Sequence, residues 1–404
     1  MARTRDMTFT GLSKSAMACG LVLAHSVGHA AQYPLAQTPR NAAVREPAPN
    51  VIVSVDNSGS MAFSSIASEG DKAPPLGTPN RMEALKTALK DNFSTANIPD
   101  DRIRLAWQAM NVGAVQVNQN SCVGFFGDTA PGRYRAGTCN IGGRANANLM
   151  RSLDATHRAN FMTWVDSMIA DGGTPLHAMM TRAGEYMKTS GQYSPYSDDP
   201  GVKDATESSC RKSFHIFMTD GDYNLFGFDV EPNQLHMPDI GNEDGTRRVL
   251  PDAEVYTPVA PYKDGAGTVN SPAKWKSTSG TWAPIAEYRP TLADMAFHYW
   301  ASDLQPGIAN NLKKVVVEPG QARVGTATVP EYWNPKNDPA PWQHLTTHTI
   351  GFGAASSWSG APAMSTNLAQ PTYSGGYVGL VEGTDHIGQQ SCAGGGGHRT
   401  AAGG

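Results

Sequence analysis

Residues 51–55 (VIVSV) constrain the fold most, because they are short, rich in β-branched side chains and followed at once by Asp-Asn-Ser-Gly-Ser. A short apolar run bounded by turn residues is typical of a buried β-strand. The turn brings the carboxylate of Asp56 and the hydroxyls of Ser58 and Ser60 within five positions of one another. This stretch therefore predicts a buried strand whose carboxyl end presents several oxygen ligands.

The rest of the sequence alternates between helix-like and strand-like segments. Apolar residues recur at helical spacing in residues 81–93, 155–170, 176–188 and 292–303. Further strands are predicted at residues 103–112, 214–218 and 346–352. This alternation predicts a doubly wound α/β domain, with a mostly parallel sheet and helices on both faces.

Composition divides the chain into segments around that domain. Basic residues, an apolar stretch at 16–27 and small residues after it are the layout of a secretory signal peptide. The apolar stretch is shorter than the ~20 residues that a membrane-spanning helix needs, so we expect export and no membrane span. In order, the predicted segments are a signal peptide (1–31), a linker (32–49), the α/β domain (50–384) with a long irregular insertion at about 222–290, and a low-complexity, disordered tail (385–404).

Several classes of function are disfavoured by the sequence. A net charge of −4 provides no basic surface for nucleic acid. His344 and His348 have the spacing of a zinc metalloprotease, but Leu345 stands where the general base Glu is required. Residues 356–360 lack the Gly-x-Ser-x-Gly elbow of an α/β-hydrolase. We therefore predict that the chain is not an enzyme.

Disulfide bonds can form and persist in an exported chain. Cys19 lies in the predicted signal peptide, which leaves four cysteines and three ways of pairing them. Cys122 and Cys139 flank a Gly-containing loop and are the favoured pair, although a chain with all four cysteines reduced is the alternative. No Cys-x-x-Cys pair supports a zinc site.

Three polar turns are predicted at one edge of the sheet, where α/β proteins bind ligands. They carry Asp56, Ser58 and Ser60 after the first strand, Thr174 in Gly-Gly-Thr-Pro, and Asp220 after residues 214–218. Each turn alone has an ordinary explanation as a hydrogen-bonded turn or a helix cap. Together they offer an all-oxygen ligand set that suits a divalent cation, Mg²⁺ first and Mn²⁺ or Ca²⁺ as alternatives. Such a set leaves a coordination position for an acidic group of a partner.

The same residues resemble a known motif. DNSGS, GGTPL and FMTDG are similar to the three parts of the metal-ion-dependent adhesion site of von Willebrand factor A domains, in the order and on the elements of that family. The resemblance implies that Ser58, Ser60 and Thr174 coordinate the metal directly. It implies that Asp56 and Asp220 act directly or through water, and that a ligand carboxylate completes the coordination.

A second resemblance covers most of residues 50–383. The segments TPLHAMMTRAGEYM, CRKSFHIFMTDGDYN, TLADMAFHYWASDL and DPAPWQHLTTHTIGFG resemble the N-terminal region of the PilY1 family of type IV pilus tip-associated and assembly proteins. This implies a protein at the pilus tip, outer membrane or cell surface, with roles in adhesion, in opposing pilus retraction and in surface sensing. Family members continue into a β-propeller with a calcium-binding loop, which has no counterpart in these 404 residues.

The resemblance also defines the expected partners and the alternatives. We expect binding to pilus components such as minor pilins, or to a host-surface protein, through an acidic side chain of the partner. A generic secreted A-domain adhesin unrelated to pili is the main alternative. In a further alternative the metal site is vestigial and the chain is a structural element, so that Asp56→Ala would leave function intact.

Overall fold

The computed structural model describes residues 47–66, 71–111, 122, 124–125, 139–220, 240–258, 274–278, 281–285, 290–324 and 327–351. The predicted signal peptide, the predicted tail and all but the end of the predicted linker lie outside these residues. The described residues belong to one compact unit, Pro47–Gly404.

A five-stranded sheet forms the centre of the fold. In chain order the strands are β1 (Asn50–Val55), β2 (Arg104–Ala109), β3 (Arg151–Ser152), β4 (Ser213–Thr219), β5 (Arg248–Val249), β6 (Val255–Tyr256), β7 (Lys274–Thr278), β8 (Thr281–Ile285), β9 (Ala322–Val324), β10 (Ala327–Val329) and β11 (Thr346–Gly351). The sheet has the order β11-β4-β1-β2-β3. The pairs β1–β2, β1–β4 and β4–β11 are parallel, whereas β3 runs antiparallel to β2. The prediction of a mostly parallel sheet is confirmed.

Amphipathic helices connect the strands. The α-helices of the described residues are α1 (Arg81–Asn92), α2 (Ala155–Ser167), α3 (Leu176–Met187) and α4 (Leu292–Ala301). Capping boxes fix where two of them begin, with Asn80 and Glu83 at α1 and Thr291 and Asp294 at α4. Within the described part of the chain, no helix combines the length and apolar character required to cross a bilayer.

The helices cover both faces of the sheet. All six residues of β1 are buried, which is typical of a parallel strand between two helical layers. On one face Val51, Val53 and Val55 share an apolar cluster with residues of α1 and α2. On the other face Ile52 and Ala106 share a cluster with residues of α3 and α4. The strand before the polar turn is therefore held rigidly from both sides.

The predicted elements exist, with shifted ends. Helix α2 ends at Ser167 rather than at residue 170, because the backbone of Met168 is extended (φ −67°, ψ 140°). Helix α4 ends at Ala301, two residues early, and β2 spans six residues instead of the ten predicted for 103–112. Shifts of one to a few residues are usual where no cap residue fixes an end.

The predicted insertion at about residues 222–290 contains regular structure where it is described. Strand β5 pairs with β6 and β7 pairs with β8, both antiparallel. The prediction of an irregular segment is wrong for these stretches, because the Gly, Pro, Asn and Asp residues between short strands are also the residues of hairpin turns. Strand β3 is not predicted either, because a strand of two residues is too short to show a periodic pattern.

A disulfide bond joins Cys122 to Cys139. Both half-cystines are fully buried in the apolar cluster that α1 and α2 share with the sheet. Cys210 is exposed and carries no disulfide, and Cys392 lies outside the described residues. The bond attaches both positions to the same face of the sheet.

His157 and His215 are two of the buried histidines among the described residues, and both contact the central sheet. His215 on β4 is fully buried, and its Nε2 lies 2.7 Å from Ser54 Oγ. His157 on α2 contacts the carbonyl of Leu105, with 2.7 Å between Nε2 and O. Burial, together with nearby His348, lowers the pKa of His215 to about 3. Burial likewise lowers the pKa of His157 to about 4.

These histidines are expected to make the fold sensitive to acid. An unfolded histidine takes up a proton at a pKa near 6.5, whereas His157 and His215 stay neutral in the folded chain to a much lower pH. Below pH 6.5 the unfolded state therefore binds more protons, and the free energy of unfolding falls as the pH falls. Each histidine removes about 1.4 kcal/mol per pH unit, or roughly 4 kcal/mol for the two at pH 5.

Urea denaturation at pH 7 and at pH 5 measures this loss. His157→Gln is the matched variant, because glutamine does not titrate and has an amide near the position of Nε2. The loss of stability between pH 7 and pH 5 should be roughly 2 kcal/mol smaller in this variant. An unchanged difference between the two pH values would contradict the assignment to His157.

Candidate metal-binding site

The first and third predicted turns meet at the carboxyl ends of β1 and β4. The two strands are parallel neighbours, so their ends lie side by side. The backbone N–H of Asp56 donates to the carbonyl of Met218 over 3.0 Å. Asp56 directly follows β1 and Asp220 directly follows β4. The sheet thus brings together two carboxylates that are 164 positions apart in the sequence.

Four of the five predicted ligand residues form one chain of hydrogen bonds. The backbone N–H of Ser58 donates to Asp56 Oδ1 over 2.9 Å. The hydroxyl oxygens of Ser58 and Ser60 are 2.9 Å apart. Ser60 Oγ in turn donates to Asp220 Oδ1 over 3.0 Å. The carboxylate and hydroxyl oxygens of these four residues therefore lie in one hydrogen-bonded cluster.

The two carboxylates lie in a buried environment. Asp56 is 0% exposed, and Asp220 is also buried. Burial first, and the nearby negative charge of Asp220 second, raise the pKa of Asp56 to about 6. Hydrogen bonds from Ser58 and from Thr219 Oγ1, which is 2.9 Å from Asp56 Oδ2, act in the opposite direction. Two negative charges held close together in a buried position are electrostatically unfavourable, and a divalent cation would offset that cost.

The second predicted turn is attached to the first by its backbone. The N–H of Gly59 donates to the carbonyl of Gly172 over 3.0 Å, and the N–H of Asp171 donates to the carbonyl of Asn57 over 2.9 Å. Thr174 lies two residues after Gly172 and is 7% exposed. The loop that carries Thr174 is therefore fixed beside the turn that carries Ser58 and Ser60.

Two asparagines that sequence analysis missed hold these loops together. Asn57 Nδ2 donates to the carbonyl of Asn111 over 3.2 Å, and the N–H of Asn111 donates to Asn57 Oδ1 over 2.8 Å. Asn111 Nδ2 donates to the carbonyl of Gly173 over 2.6 Å. Gly172 has a φ of +89°, and a Cβ there would lie 2.9 Å from Asn111 Cγ. Asn111 lies inside the strand predicted at residues 103–112, so no signal in the sequence indicates this role.

Sequence analysis also missed Arg81, a positively charged residue that contacts Asp220. Arg81 Nη1 lies 2.7 Å from Asp220 Oδ2, and both side chains are 2% exposed. Arg81 Nη2 lies 2.8 Å from Asp71 Oδ1, at the solvent side. Arg81 is the first residue of α1. Nothing about that position in the sequence indicates a contact with Asp220, which follows β4.

The donor atoms of this region are all oxygen. Among the described residues no group of three or more His, Cys, Asp or Glu side chains could hold a metal ion. A cation here would therefore depend on the hydroxyls of Ser58, Ser60 and Thr174 as well as on the two carboxylates. Hydroxyl and carboxylate oxygens are compatible with hard cations such as Mg²⁺ and not with the softer metals that prefer sulfur.

The histidines with metalloprotease spacing are arranged differently. That motif requires both side chains on one face of a helix. Here His348 lies in β11, and His344 precedes that strand. His344 Nδ1 contacts the carbonyl of Trp342 over 2.8 Å and Nε2 lies 3.2 Å from Asp338 Oδ1. This pair therefore does not have the geometry of a helical zinc site.

Comparison with known proteins gives a context for the site. Over 308 residues, 75% of its length, the chain is 35% identical to the type IV pilus biogenesis factor PilY1 of Pseudomonas aeruginosa strain PAO1. This similarity makes PilY1 a relative of the chain. PilY1 of strain UCBPP-PA14 is 32% identical over 303 residues. The matched stretch is 21% and 20% of these two PilY1 proteins, so the chain spans about a fifth of their length.

Other comparisons add little to the PilY1 similarity. The crystal structure of the pilus adhesin SpaC from Lactobacillus rhamnosus GG aligns with 52% of this chain and 18% of its own, at 17% identity and a TM-score of 0.23. A TM-score this low carries no argument about fold or function. No protein-family model matches the chain.

Proposed function

We propose that the chain is a non-enzymatic component of type IV pilus biogenesis or pilus-tip adhesion that binds its partner through a divalent cation. The observation that carries the proposal is the hydrogen-bonded set of Asp56, Ser58, Ser60 and Asp220 at the carboxyl ends of two parallel strands. The similarity to PilY1 supports the pilus context. The parallel sheet with helices on both faces supports a von Willebrand factor A-like domain.

The proposed cation is Mg²⁺, with Mn²⁺ and Ca²⁺ as alternatives. The hydroxyls of Ser58, Ser60 and Thr174 would bind it directly, and Asp56 and Asp220 would bind it directly or through water. When bound, the cation supplies a positive position that accepts a carboxylate oxygen of the partner. The shared hydrogen bonds of Asn57 and Asn111 keep the loops of Ser58 and Thr174 at a fixed separation. Little rearrangement is then required before a ligand binds.

The proposed partner presents an acidic side chain. Minor pilins or other pilus components are the first candidates, and a host-surface protein is the second. The chain would act outside the cell, at the pilus tip, the outer membrane or the cell surface. A secreted A-domain adhesin unrelated to pili would use the same site, and a vestigial metal site would leave binding independent of cations.

Binding to purified type IV pili in chelator tests the proposal. We expect the affinity of the full chain for pili to fall at least tenfold in EDTA and to return when Mg²⁺ is added in excess. Asp166→Ala is a suitable control, because Asp166 is a solvent-exposed aspartate on α2. Equal affinity with and without EDTA would contradict cation-dependent binding. Cation-dependent binding to host-surface proteins but not to pili would favour the adhesin unrelated to pili.

A further inference from the structure

We infer that Arg81 is a functional part of the metal site: its guanidinium neutralises Asp220 and sets the net charge of the site, and thereby its affinity for a cation. The inference rests on the proposed function, since it concerns the same site. The motif residues do not include an arginine, and the structure alone brings Arg81 to Asp220 across 139 positions of sequence.

The guanidinium is held in one position by several contacts. Nη1 donates to Asp220 Oδ2 over 2.7 Å and lies 3.4 Å from the carbonyl of Ser60. Nε donates to the carbonyl of Ser64 over 3.2 Å. Cζ lies 5.7 Å from the centre of the Phe63 ring. Apart from Asp220, these contacts come from Ser60 and the residues that follow it, so the positive charge is held beside the turn that carries the ligand hydroxyls.

Asp220 uses its two oxygens for different neighbours. Oδ2 accepts from Arg81, whereas Oδ1 accepts from Ser60 Oγ. Arg81 therefore turns Oδ1 toward the hydroxyls and occupies the oxygen on the other side. A cation bound by the hydroxyls could interact with Oδ1 while Arg81 stays in place. The ion pair is thus compatible with a loaded site.

The net charge of the site gives Arg81 a specific role. Asp56 and Asp220 contribute two negative charges and Arg81 one positive charge, so the empty arrangement carries about one negative charge. A divalent cation changes this to one positive charge, which attracts a single carboxylate of a partner. Without Arg81 the loaded site would be neutral. Asp71, which contacts Arg81 from outside, has a side chain that is 61% exposed and is screened by water.

Calorimetric titration of Mn²⁺ into the full chain tests the inference. Arg81→Gln removes the charge but keeps a side chain that can donate to Asp220. We expect this variant to bind Mn²⁺ at least tenfold more tightly than the wild type. An affinity equal to or weaker than that of the wild type would overturn the inference.

A matched control separates charge from general loss of structure. Arg158 on α2 is also buried and pairs with Asp100 over 2.9 Å, and it donates to the carbonyl of Phe93. Arg158→Gln should lower the thermal midpoint and leave the Mn²⁺ affinity within about twofold of the wild type. If both variants changed the Mn²⁺ affinity equally, Arg81 would have no specific role.

A second pair of variants covers the case in which Arg81→Gln does not fold. Asp220→Asn removes one negative charge from the site and takes away the buried carboxylate that contacts Arg81, so it should weaken Mn²⁺ binding at least tenfold. Arg81→Gln combined with Asp220→Asn removes both charges of the ion pair and restores the net charge of the wild-type site. The double variant should therefore bind Mn²⁺ at least threefold more tightly than Asp220→Asn. Equal affinities of the single and double variants would contradict the inference.

The titration also distinguishes this inference from the proposed function. If the wild type bound Mn²⁺ and Arg81→Gln bound it with the same affinity, the inference would be overturned and the proposed metal site would still be supported. Binding only after Arg81 is replaced would support the inference and show that the arginine suppresses cation binding. Absence of binding in the wild type and in every variant would contradict both.

Discussion

Asp56→Asn is expected to lower the affinity of the chain for Mg²⁺ and Mn²⁺ at least 100-fold, a change of about 2.7 kcal/mol. The substitution removes one of two carboxylates from a fully buried position. It also disturbs the first turn, since Asp56 accepts from the backbone of Ser58 with one oxygen and from Thr219 with the other. An amide has only one oxygen and can accept one of these bonds at most.

Calorimetric titration of Mg²⁺ and Mn²⁺ measures this effect. Asp166→Asn is a control of the same chemistry at a solvent-exposed position. Thermal unfolding in EDTA verifies that the Asp56 variant is folded. Its midpoint should remain close to that of the wild type, because burial makes the Asp56 charge unfavourable in the absence of a cation. Equal cation affinities of the variant and the wild type would show that Asp56 does not contribute to a metal site.

Gly184→Ala is expected to lower the free energy of unfolding by about 3 kcal/mol, although alanine favours a helix interior by about 1 kcal/mol over glycine. Gly184 lies in α3 where α4 crosses it, and a Cβ would lie 2.2 Å from the ring of Tyr299. That ring is fully buried. Its hydroxyl donates to Glu185, and Lys188 lies 5.2 Å from its centre. The ring cannot move aside, so the two helices must separate.

Chemical denaturation of the variant measures the loss. Gly241→Ala is the control, since a Cβ at Gly241 meets no atom within 4 Å. The control should stay within about 0.5 kcal/mol of the wild type. A similarly small change for Gly184→Ala would mean that α3 and α4 do not pack as closely as described.

Much of the fold could be predicted because its signals are local. Residues 50–60 contain a whole strand and the turn after it, and the apolar residues of α1 and α4 recur at helical spacing. The ligand residues Asp56, Ser58 and Ser60 lie in one turn, so their proximity follows from local geometry. Asp220 follows from the same logic, since parallel neighbouring strands end at the same edge.

The remaining features depend on contacts that no local pattern encodes. Arg81 meets Asp220, and Asn111 meets Gly173, only after the sheet has formed. An arginine at the start of a helix and an asparagine after a strand are common in any α/β protein, so neither position predicts its partner. Strands β5 and β6 have two residues each, too few for a periodic pattern to stand out, and β8 contains Pro284, which argues against a strand.

The central position of β1 has a mechanical consequence. It pairs with β2 on one side and β4 on the other, from Asn50 through Val55. Tension on the chain ahead of Asn50 would act along the strand and load both hydrogen-bond ladders in shear, so that many bonds must yield together. A strand peeled from the rim of a sheet would instead release its bonds one by one. Asp56 directly follows this strand, so a pull on the chain would reach the turn of Ser58 and Ser60 along a stiff path.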